Sequence, residues 1–407
     1  MERILEAPID ALAPRLIAIR RGLHRHPELG YREARTAQVI LAELKPLGLV
    51  LRSGVVETGI VGSIEGAIPG PTVLLRADMD GLPIQEQNPQ LDFASEIPNV
   101  MHACGHDAHT AILLGAVRIL TGMREKIRGT IKFLFQPAEE EARQRPGEPR
   151  PVSAATQVIE AGVLDGVAAV LGLHLWPDLM TGQVGIRRGA AMAGGSWFRI
   201  TIIGRSVHAA QPHKGIDSIT GVANLINLLQ LVVTRNVDPG VPVLLNVGTI
   251  QGGYRRNVVA DRVEMTGTVR ALDQTILDNL FPERIEKAIR GLCEAIDADY
   301  TFEYFPEVPV LENAASFVDS VHASLSEELG HQKVLIVDKV TMTGEDFAFY
   351  TQLIPGLFLY LGCSDPASSA RHPLHSAQFN FDERAIAVGV RTMALGALTL
   401  LDQMRAS

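Results

Sequence analysis

The residues best suited to chemistry lie in the stretch M-H-A-C-G-H-D-A-H-T, from Met101 to Thr110. Such a density of histidine, cysteine and aspartate is typical of a metal site. A thiolate at Cys104 and an imidazole at His106 can turn toward one cation, because Gly105 tolerates the sharp backbone bend between them. The other polar side chains of the stretch are then in reach as outer partners or further ligands: His102, Asp107 and His109. The alternative is a set of hydrogen-bonded polar residues at the start of the buried helix that A-I-L-L-G-A-V-R-I-L predicts.

Other polar residues follow short apolar runs, each of which predicts a buried strand. The runs are Thr72–Arg76, Thr130–Phe135 and Val167–Leu175. In open α/β sheets ligands bind at the carboxyl ends of the strands, so side chains there should converge. Together with the first stretch and the loop H-P-L-H-S, these strand ends supply the following candidates: Asp78, Asp80, Cys104, His106, Glu139, Glu140, His174 and His375.

Five of these candidates are good metal ligands of mixed nitrogen, oxygen and sulfur type: Cys104, His106, Glu140, His174 and His375. One tetrahedral catalytic ion that keeps an open coordination position needs fewer protein ligands than these five. The set therefore predicts two divalent ions that share a bridging ligand and a bridging water. Mixed ligands of this kind admit Zn, Mn, Ni or Co.

The adjacent Glu139 and Glu140 can divide two tasks. One carboxylate can bind metal while the other faces the water, takes its proton and returns it. An isolated Glu-Glu pair is usually a solvated surface feature. Here the pair follows an apolar strand and Q-P-A, which favours the functional interpretation.

The elements that position these residues predict an α/β fold, with a mostly parallel sheet flanked by helices on both faces. Residues 8–46 predict two helices, separated by a break at Pro27 and Gly30. The runs Gly59–Ile64 and Thr72–Arg76, separated by a P-G-P turn, predict a pair of strands. The stretch 141–157 is rich in Pro, Arg and Glu and predicts an exposed loop.

A different pattern begins near residue 190. Residues 196–306 follow the order β-α-β-β-α-β, which predicts a ferredoxin-like α+β domain. From Pro309 the α/β pattern resumes. We therefore expect one catalytic domain built from residues 1–190 and 309–407, interrupted by an inserted domain at 191–308.

Composition excludes several classes of partner. The 407 residues are 46% apolar and 20% charged, as in an ordinary soluble globular protein. A formal net charge of -9 argues against nucleic acid and anionic membranes and favours a small-molecule substrate. The sequence has no signal-peptide pattern and no apolar run long enough for a membrane span, which predicts a cytoplasmic protein. Three scattered cysteines are too few for a disulfide framework.

Seven motifs in the sequence resemble those of a known family. In chain order they are R-A-D-M-D-G-L-P-I, M-H-A-C-G-H-D-A-H-T, Q-P-A-E-E, G-L-H-L-W-P, G-R-S-V-H-A-A-Q-P-H-K-G-I-D, G-E-D-F-A and H-P-L-H-S. The family is the metallo-amidohydrolases that include hippurate hydrolases, auxin-conjugate hydrolases and bacterial N-acyl-L-amino acid amidohydrolases, within the aminoacylase and carboxypeptidase-like metallopeptidases. One departure is the stretch E-A-R-Q-R-P-G-E-P-R-P-V-S after Q-P-A-E-E, which bears on the rim of the pocket.

The resemblance implies roles for residues of the catalytic domain. The five ligands named above would hold two metal ions. Glu139 would be the general acid/base. Asp80 would not bind metal itself but would orient a residue that does. Glu345 and Asp346 fit the family pattern, but they could equally cap a helix.

The resemblance also implies roles for the inserted domain. His208 would help to stabilise the oxyanion, often at the active site of the other subunit of a homodimer. Asn257 would hold the substrate carboxylate, for which Arg255 and Arg256 offer cationic alternatives. The inserted domain would thus be a lid and a dimerisation module, in a homodimer or a homotetramer.

Three functions follow from this pattern. The first is a metal-dependent amidohydrolase that cleaves N-acyl-L-amino acids, either hippurate-like or N-acetylated. The second is a dipeptidase or carboxypeptidase that acts on small peptides by the same mechanism. The third, a non-catalytic protein that binds metal or a small ligand, predicts loss of the base or of ligands, whereas Glu139 and all five ligands are present.

Overall fold

The structure is a computed structural model that describes residues 5–148, 150–365, 367 and 371–406. Its contacts divide the chain into two compact units. The first unit contains Met1–Gly189, Glu312–Asp338 and Phe349–Ser407, and the second contains Ala190–Leu311 and Lys339–Ala348.

The described residues form nine α-helices and fourteen strands. The helices are α1 (Glu6–Arg25), α2 (Ala34–Leu44), α3 (His106–Thr121), α4 (Ala154–Glu160), α5 (Ser218–Asn236), α6 (Phe281–Ile296), α7 (Ala315–Leu329), α8 (Ala348–Thr351) and α9 (Arg384–Ala406). The strands are β1 (Val50–Val55), β2 (Gly59–Glu65), β3 (Ile68–Asp78), β4 (Arg128–Gln136), β5 (Ala169–Met180), β6 (Val184–Ile186), β7 (Gly189–Met192), β8 (Gly194–Ile203), β9 (Val243–Gly252), β10 (Arg262–Ala271), β11 (Asp299–Val308), β12 (Leu311–Asn313), β13 (Val334–Ile336) and β14 (Gly356–Ser364).

The first unit is built on an eight-stranded sheet with the order β1-β2-β4-β3-β5-β14-β6-β13. The four central strands β4, β3, β5 and β14 run parallel to one another, which confirms the predicted mostly parallel sheet. The predicted pairing of residues 59–64 with 72–76 is wrong, because β4 lies between these strands. Helix α3 provides the crossover that a parallel β3–β4 pair requires.

Helix α9 is a core helix of the first unit. Its segment Arg384–Arg405 is long and apolar enough to cross a membrane by length and composition alone, which was not predicted because Arg391 interrupts the apolar run. It packs against α1, α3, α7 and β3, and 61% of its most apolar window is buried. Burial in the core explains its apolar composition.

The second unit has a four-stranded antiparallel sheet with the order β11-β8-β10-β9, together with helices α5 and α6. This is the predicted β-α-β-β-α-β arrangement. Phe281, Ile285, Ile289 and Cys293 recur at every fourth position of α6 and are buried. That spacing places them on one face of the helix.

Two predicted boundaries need correction. Residues 339–348 were assigned to the catalytic domain, but they belong to the second unit, where Ala193 N–H donates to the Thr343 carbonyl at 3.1 Å. The predicted loop 141–157 ends early because α4 begins at Ala154. Ser153 Oγ accepts from the Thr156 backbone N–H at 3.1 Å, which makes it an N-cap.

Candidate metal centre

A tight turn places Cys104 and His106 at the start of α3. Gly105 adopts φ +91°, and a Cβ atom there would lie 2.7 Å from Leu175 Cδ1. Only glycine fits both the conformation and the space. The two neighbouring side chains are buried.

Asp80, just beyond the end of β3, makes two contacts in the same region. Its Oδ1 lies 3.0 Å from His106 Nδ1, and its Oδ2 accepts from the Glu140 backbone N–H at 3.1 Å. Because His106 Nδ1 faces this carboxylate, Nε2 is the ring nitrogen that is available to a metal ion, as in many metal sites.

The turn that carries Glu139 and Glu140 follows β4. Ala138 adopts φ +50°, which is uncommon for a residue other than glycine. Its N–H donates to Glu33 Oε1 at 2.8 Å, while Thr58 Oγ1 donates to Glu33 Oε2 at 2.7 Å. Glu33 is fully buried and was missed by the sequence analysis.

His174 and His375 approach Cys104 from two other elements. His174 Nδ1 donates to the Leu175 carbonyl at 2.7 Å, and its Nε2 lies 3.3 Å from Cys104 Sγ. His375 Nε2 lies 3.2 Å from Cys104 Sγ and 2.8 Å from Glu140 Oε1. The backbone N–H of His375 donates to the Ala103 carbonyl at 2.9 Å, which fixes this loop beside the α3 turn.

The structure therefore brings together all five predicted ligands and the predicted base. Their ligand atoms lie within 4.8 Å of one another in three overlapping groups: Cys104, His106 and His174; Cys104, Glu140 and His375; and His106, Glu139 and Glu140.

The donor set fits divalent metal. His106 Nε2 is buried and has no hydrogen-bond partner among the described residues. Buried polar atoms are normally paired, so an unpaired ring nitrogen in a cluster of sulfur, nitrogen and oxygen donors fits a cation.

The charges of the cluster support the same conclusion. Burial raises the pKa of the Cys104 thiol, and Glu140 and Glu139 raise it further. Burial lowers the pKa of His106, but Asp78, Asp80 and Glu140 outweigh burial and raise it to about 10. In the absence of metal both groups are therefore protonated at neutral pH, and cations can take the place of these protons.

The residues predicted in the inserted domain lie on the second unit. His208 is exposed, its Nδ1 accepts from the Ala210 N–H at 3.0 Å, and it forms a β-bridge with Val258. Ala209 N–H donates to the Asn257 carbonyl at 3.0 Å, so His208 and Asn257 lie in adjoining segments. The side chains of Arg255, Arg256 and Asn257 are exposed.

The second unit also contains the acidic pair Glu345 and Asp346. Both are buried, and Glu345 Oε1 accepts from the Phe347 N–H at 3.0 Å, as expected of a residue that caps a turn.

The sheet and the cluster at its strand ends define a metal-dependent hydrolase with a second α+β unit. A profile of Peptidase family M20/M25/M40 matches residues 74–398. The chain belongs to this family, which confirms the predicted resemblance, and it is an enzyme rather than a passive binding protein. Its cofactors are two divalent metal ions.

Three similar proteins illustrate the family. An N-acyl-L-amino acid amidohydrolase of Geobacillus stearothermophilus is 44% identical over 73% of this chain and 77% of its own length. Thermostable carboxypeptidase 1 of Saccharolobus solfataricus is 34% identical over 94% of each chain. A Bacillus subtilis protein, described as a dinuclear metal binding peptidase from the M20 family, has a crystal structure with a TM-score of 0.83 and 33% identity. That match covers 97% of this chain and 99% of the other.

Proposed function

We propose that this enzyme hydrolyses the amide bond of N-acyl-L-amino acids and releases a carboxylate and a free amino acid. The observation that carries the proposal is the convergence of five metal-ligand side chains with Glu139 at one edge of the sheet. The name of the Geobacillus stearothermophilus relative supports the substrate class.

In this proposal Cys104, His106, Glu140, His174 and His375 hold the two ions. The ions, when bound, lower the pKa of a water molecule and polarise the scissile carbonyl. Glu139 takes the proton from the attacking water and delivers it to the leaving nitrogen. Asp80 fixes His106 through Nδ1 and Glu140 through its backbone N–H, so one carboxylate positions two ligands.

Residues of the second unit complete the proposed site. His208 stabilises the developing oxyanion, as an exposed imidazole on a short turn is free to do. Asn257 binds the α-carboxylate of the substrate, and Arg255 and Arg256 add positive charge beside it. We further propose that the second unit, Ala190–Leu311 and Lys339–Ala348, acts as a lid and as a dimerisation module for the first unit.

The proposed assembly is a homodimer, or a homotetramer built from it, located in the cytoplasm. Strand β9 is one of the two edge strands of the second unit's sheet and exposes Leu244 and Ile250. Such an edge is suited to pairing with a second copy. The three cysteines are free and buried, in keeping with a reducing compartment.

A second candidate function is the hydrolysis of small peptides. It is favoured by the 34% identity to thermostable carboxypeptidase 1. The chemistry is the same, so only the acyl side of the substrate distinguishes the two functions.

The test is a comparison of kcat/KM for hippurate and N-acetyl-amino acids with that for matched dipeptides, on enzyme reconstituted with each metal in turn. We expect N-acyl-amino acids to be turned over faster. Higher kcat/KM for dipeptides would replace the first function by the second.

A further inference from the structure

His109 lies beside the proposed ligands but is not suited to be one. Its Nδ1 lies 2.6 Å from Asp78 Oδ1, and its Nε2 accepts from the Leu175 backbone N–H at 2.9 Å. The ring is almost completely buried. Both nitrogens are therefore engaged with protein groups, so neither is available to a cation.

The two contacts determine which nitrogen carries the proton. Nε2 must hold a lone pair because it accepts from a backbone N–H, so the proton sits on Nδ1 and is donated to Asp78. Asp78 is held in turn by Arg76, whose Nη1 donates to Oδ2 at 2.6 Å. Arg76 Nε also donates to Gln136 Oε1 at 2.9 Å. This buried chain of hydrogen bonds keeps the acceptor nitrogen of His109 directed at Leu175.

Leu175 connects this chain to the metal ligands. Pairing of β3 with β5 ends at Arg76 and Gly172, so the Leu175 N–H lies beyond the last β3 partner and needs another acceptor. Its carbonyl accepts from His174 Nδ1 at 2.7 Å. Its side chain occupies the space beside Gly105, between two other ligands.

We propose that His109 is a positioning residue for the metal centre: by accepting the Leu175 N–H it fixes the peptide that orients His174, with its tautomer set by Asp78. This inference rests on the proposed ligand set, in which His174 binds metal. Partners outside the metal's own shell commonly fix ligand orientation in this way.

The test compares two substitutions that each keep one of the two contacts. His109→Gln retains an acceptor near the position of Nε2, whereas His109→Asn retains a donor near the position of Nδ1. We expect His109→Asn to weaken Co2+ binding about 10-fold to 100-fold, measured by competition with a chelator, and to perturb the thiolate–Co2+ absorption band of Cys104. His109→Gln should stay within a few-fold of the wild-type affinity.

Equal losses in both variants would overturn the proposal, since they would indicate general packing, and unchanged affinity in His109→Asn would overturn it too. Thermal unfolding of the ion-free variants shows whether each one folds. If His109→Asn does not fold, 15N-histidine NMR of the wild-type protein decides, with the His109 signals assigned by their loss in His109→Gln. A proton on Nδ1 is expected, and a proton on Nε2 would overturn the proposal.

His174→Ala separates this inference from the function on which it rests. Retention of both ions by His174→Ala would refute the proposed ligand set itself. Loss of an ion in His174→Ala, together with normal binding in His109→Asn, would refute only the positioning role.

Discussion

Buried carboxylates determine the protonation states of the individual side chains in the metal centre. Asp78 and Glu140 both have lowered pKa values, because neighbouring histidines, joined by Arg76 in the case of Asp78, outweigh the effect of burial. The same carboxylates keep protons on Cys104 and His106. The site therefore exchanges protons for metal, and its affinity for metal depends on pH.

Loading the ion-free protein with Zn2+ at pH 7 should release protons. Cys104 must become a thiolate, and His106, with its pKa of about 10, must lose a ring proton before it can bind a cation. Affinity should therefore rise with pH, by about tenfold per pH unit for each proton displaced. Calorimetry in two buffers of different ionisation enthalpy measures the release. Binding heats that are independent of the buffer would contradict this expectation.

Replacing Glu139 by Gln keeps the volume of the side chain but removes the base. We expect kcat to fall about 100-fold or more, with metal content unchanged. Glu141→Gln is the matched control, because this exposed glutamate lies two positions further on and has no proposed role. Comparable kcat values for the two variants would rule out Glu139 as the base.

Cys104→Ser should lose metal as well as activity, because a serine alkoxide forms far less readily than a thiolate. Elemental analysis of the purified variant measures the ions retained. Cys293→Ser, which replaces a buried cysteine of the second unit, should keep both ions. Two ions in Cys104→Ser, together with full activity, would exclude Cys104 as a ligand.

The proposed ligands could be picked out in the sequence because each one lies at the end of an apolar strand or in a dense local motif. The residues that hold those ligands were harder to identify. Arg76 could have been identified from the sequence, because a charged residue within a buried apolar strand requires a buried partner. The role of His109 depends on where β3–β5 pairing stops, which a local pattern does not reveal.

Three separate elements meet at Glu33, which stands at the start of α2. Its carboxylate binds the turn after β4 through Ala138 and the start of β2 through Thr58. Burial raises the pKa of Glu33 to about 7, and the charge of Asp80 contributes to the increase. Glu33 thus braces the turn that presents Glu139, and burial of its carboxylate costs stability when the group ionises.

This pKa predicts how stability depends on pH. A carboxyl group whose pKa rises on folding contributes stability below its ordinary value of 4.5 and loses that contribution as pH rises through about 7. Glu33→Gln removes the ionisation: its amide oxygen can still accept from the Ala138 N–H, and its amide nitrogen can donate to Thr58 Oγ1, which accepted no bond from the carboxylate. Between pH 4.5 and pH 8 the variant should gain about 3 kcal/mol relative to the wild type. Urea unfolding of the ion-free proteins measures this difference, and parallel pH curves would contradict it.

Element boundaries and types were largely predictable from apolar periodicity, whereas pairing partners were not. Strands β2 and β3 are adjacent in sequence, yet β4 lies between them because α3 returns the chain to that position. Residues 339–348 carry no periodicity that would assign them to either unit, and their backbone contacts with Ala193 and Met192 place them in the second unit. Which strands pair, and which unit a segment joins, depend on contacts between residues that are far apart in the sequence.

For the molecule as a whole, subunit mixing tests which chain supplies His208 to each active site. Under the proposed homodimer, His208 acts in trans on the centre that contains Glu139 of the other copy. His208→Ala and Glu139→Gln should each be nearly inactive alone. After mixing in equal amounts and full subunit exchange, half of the dimers are mixed, and each mixed dimer has one intact site. Activity should therefore recover to about a quarter of the wild-type value.

A second mixture makes the result decisive. The double variant His208→Ala/Glu139→Gln, mixed with an equal amount of wild type, places one defect in every site of a mixed dimer if His208 acts in trans. Activity should then fall to about a quarter of that of the undiluted wild type, whereas an arrangement in cis would leave about a half. Sedimentation at the working concentration checks that dimers are present. No recovery in the first mixture and one-half activity in the second would assign His208 to the active site of its own chain.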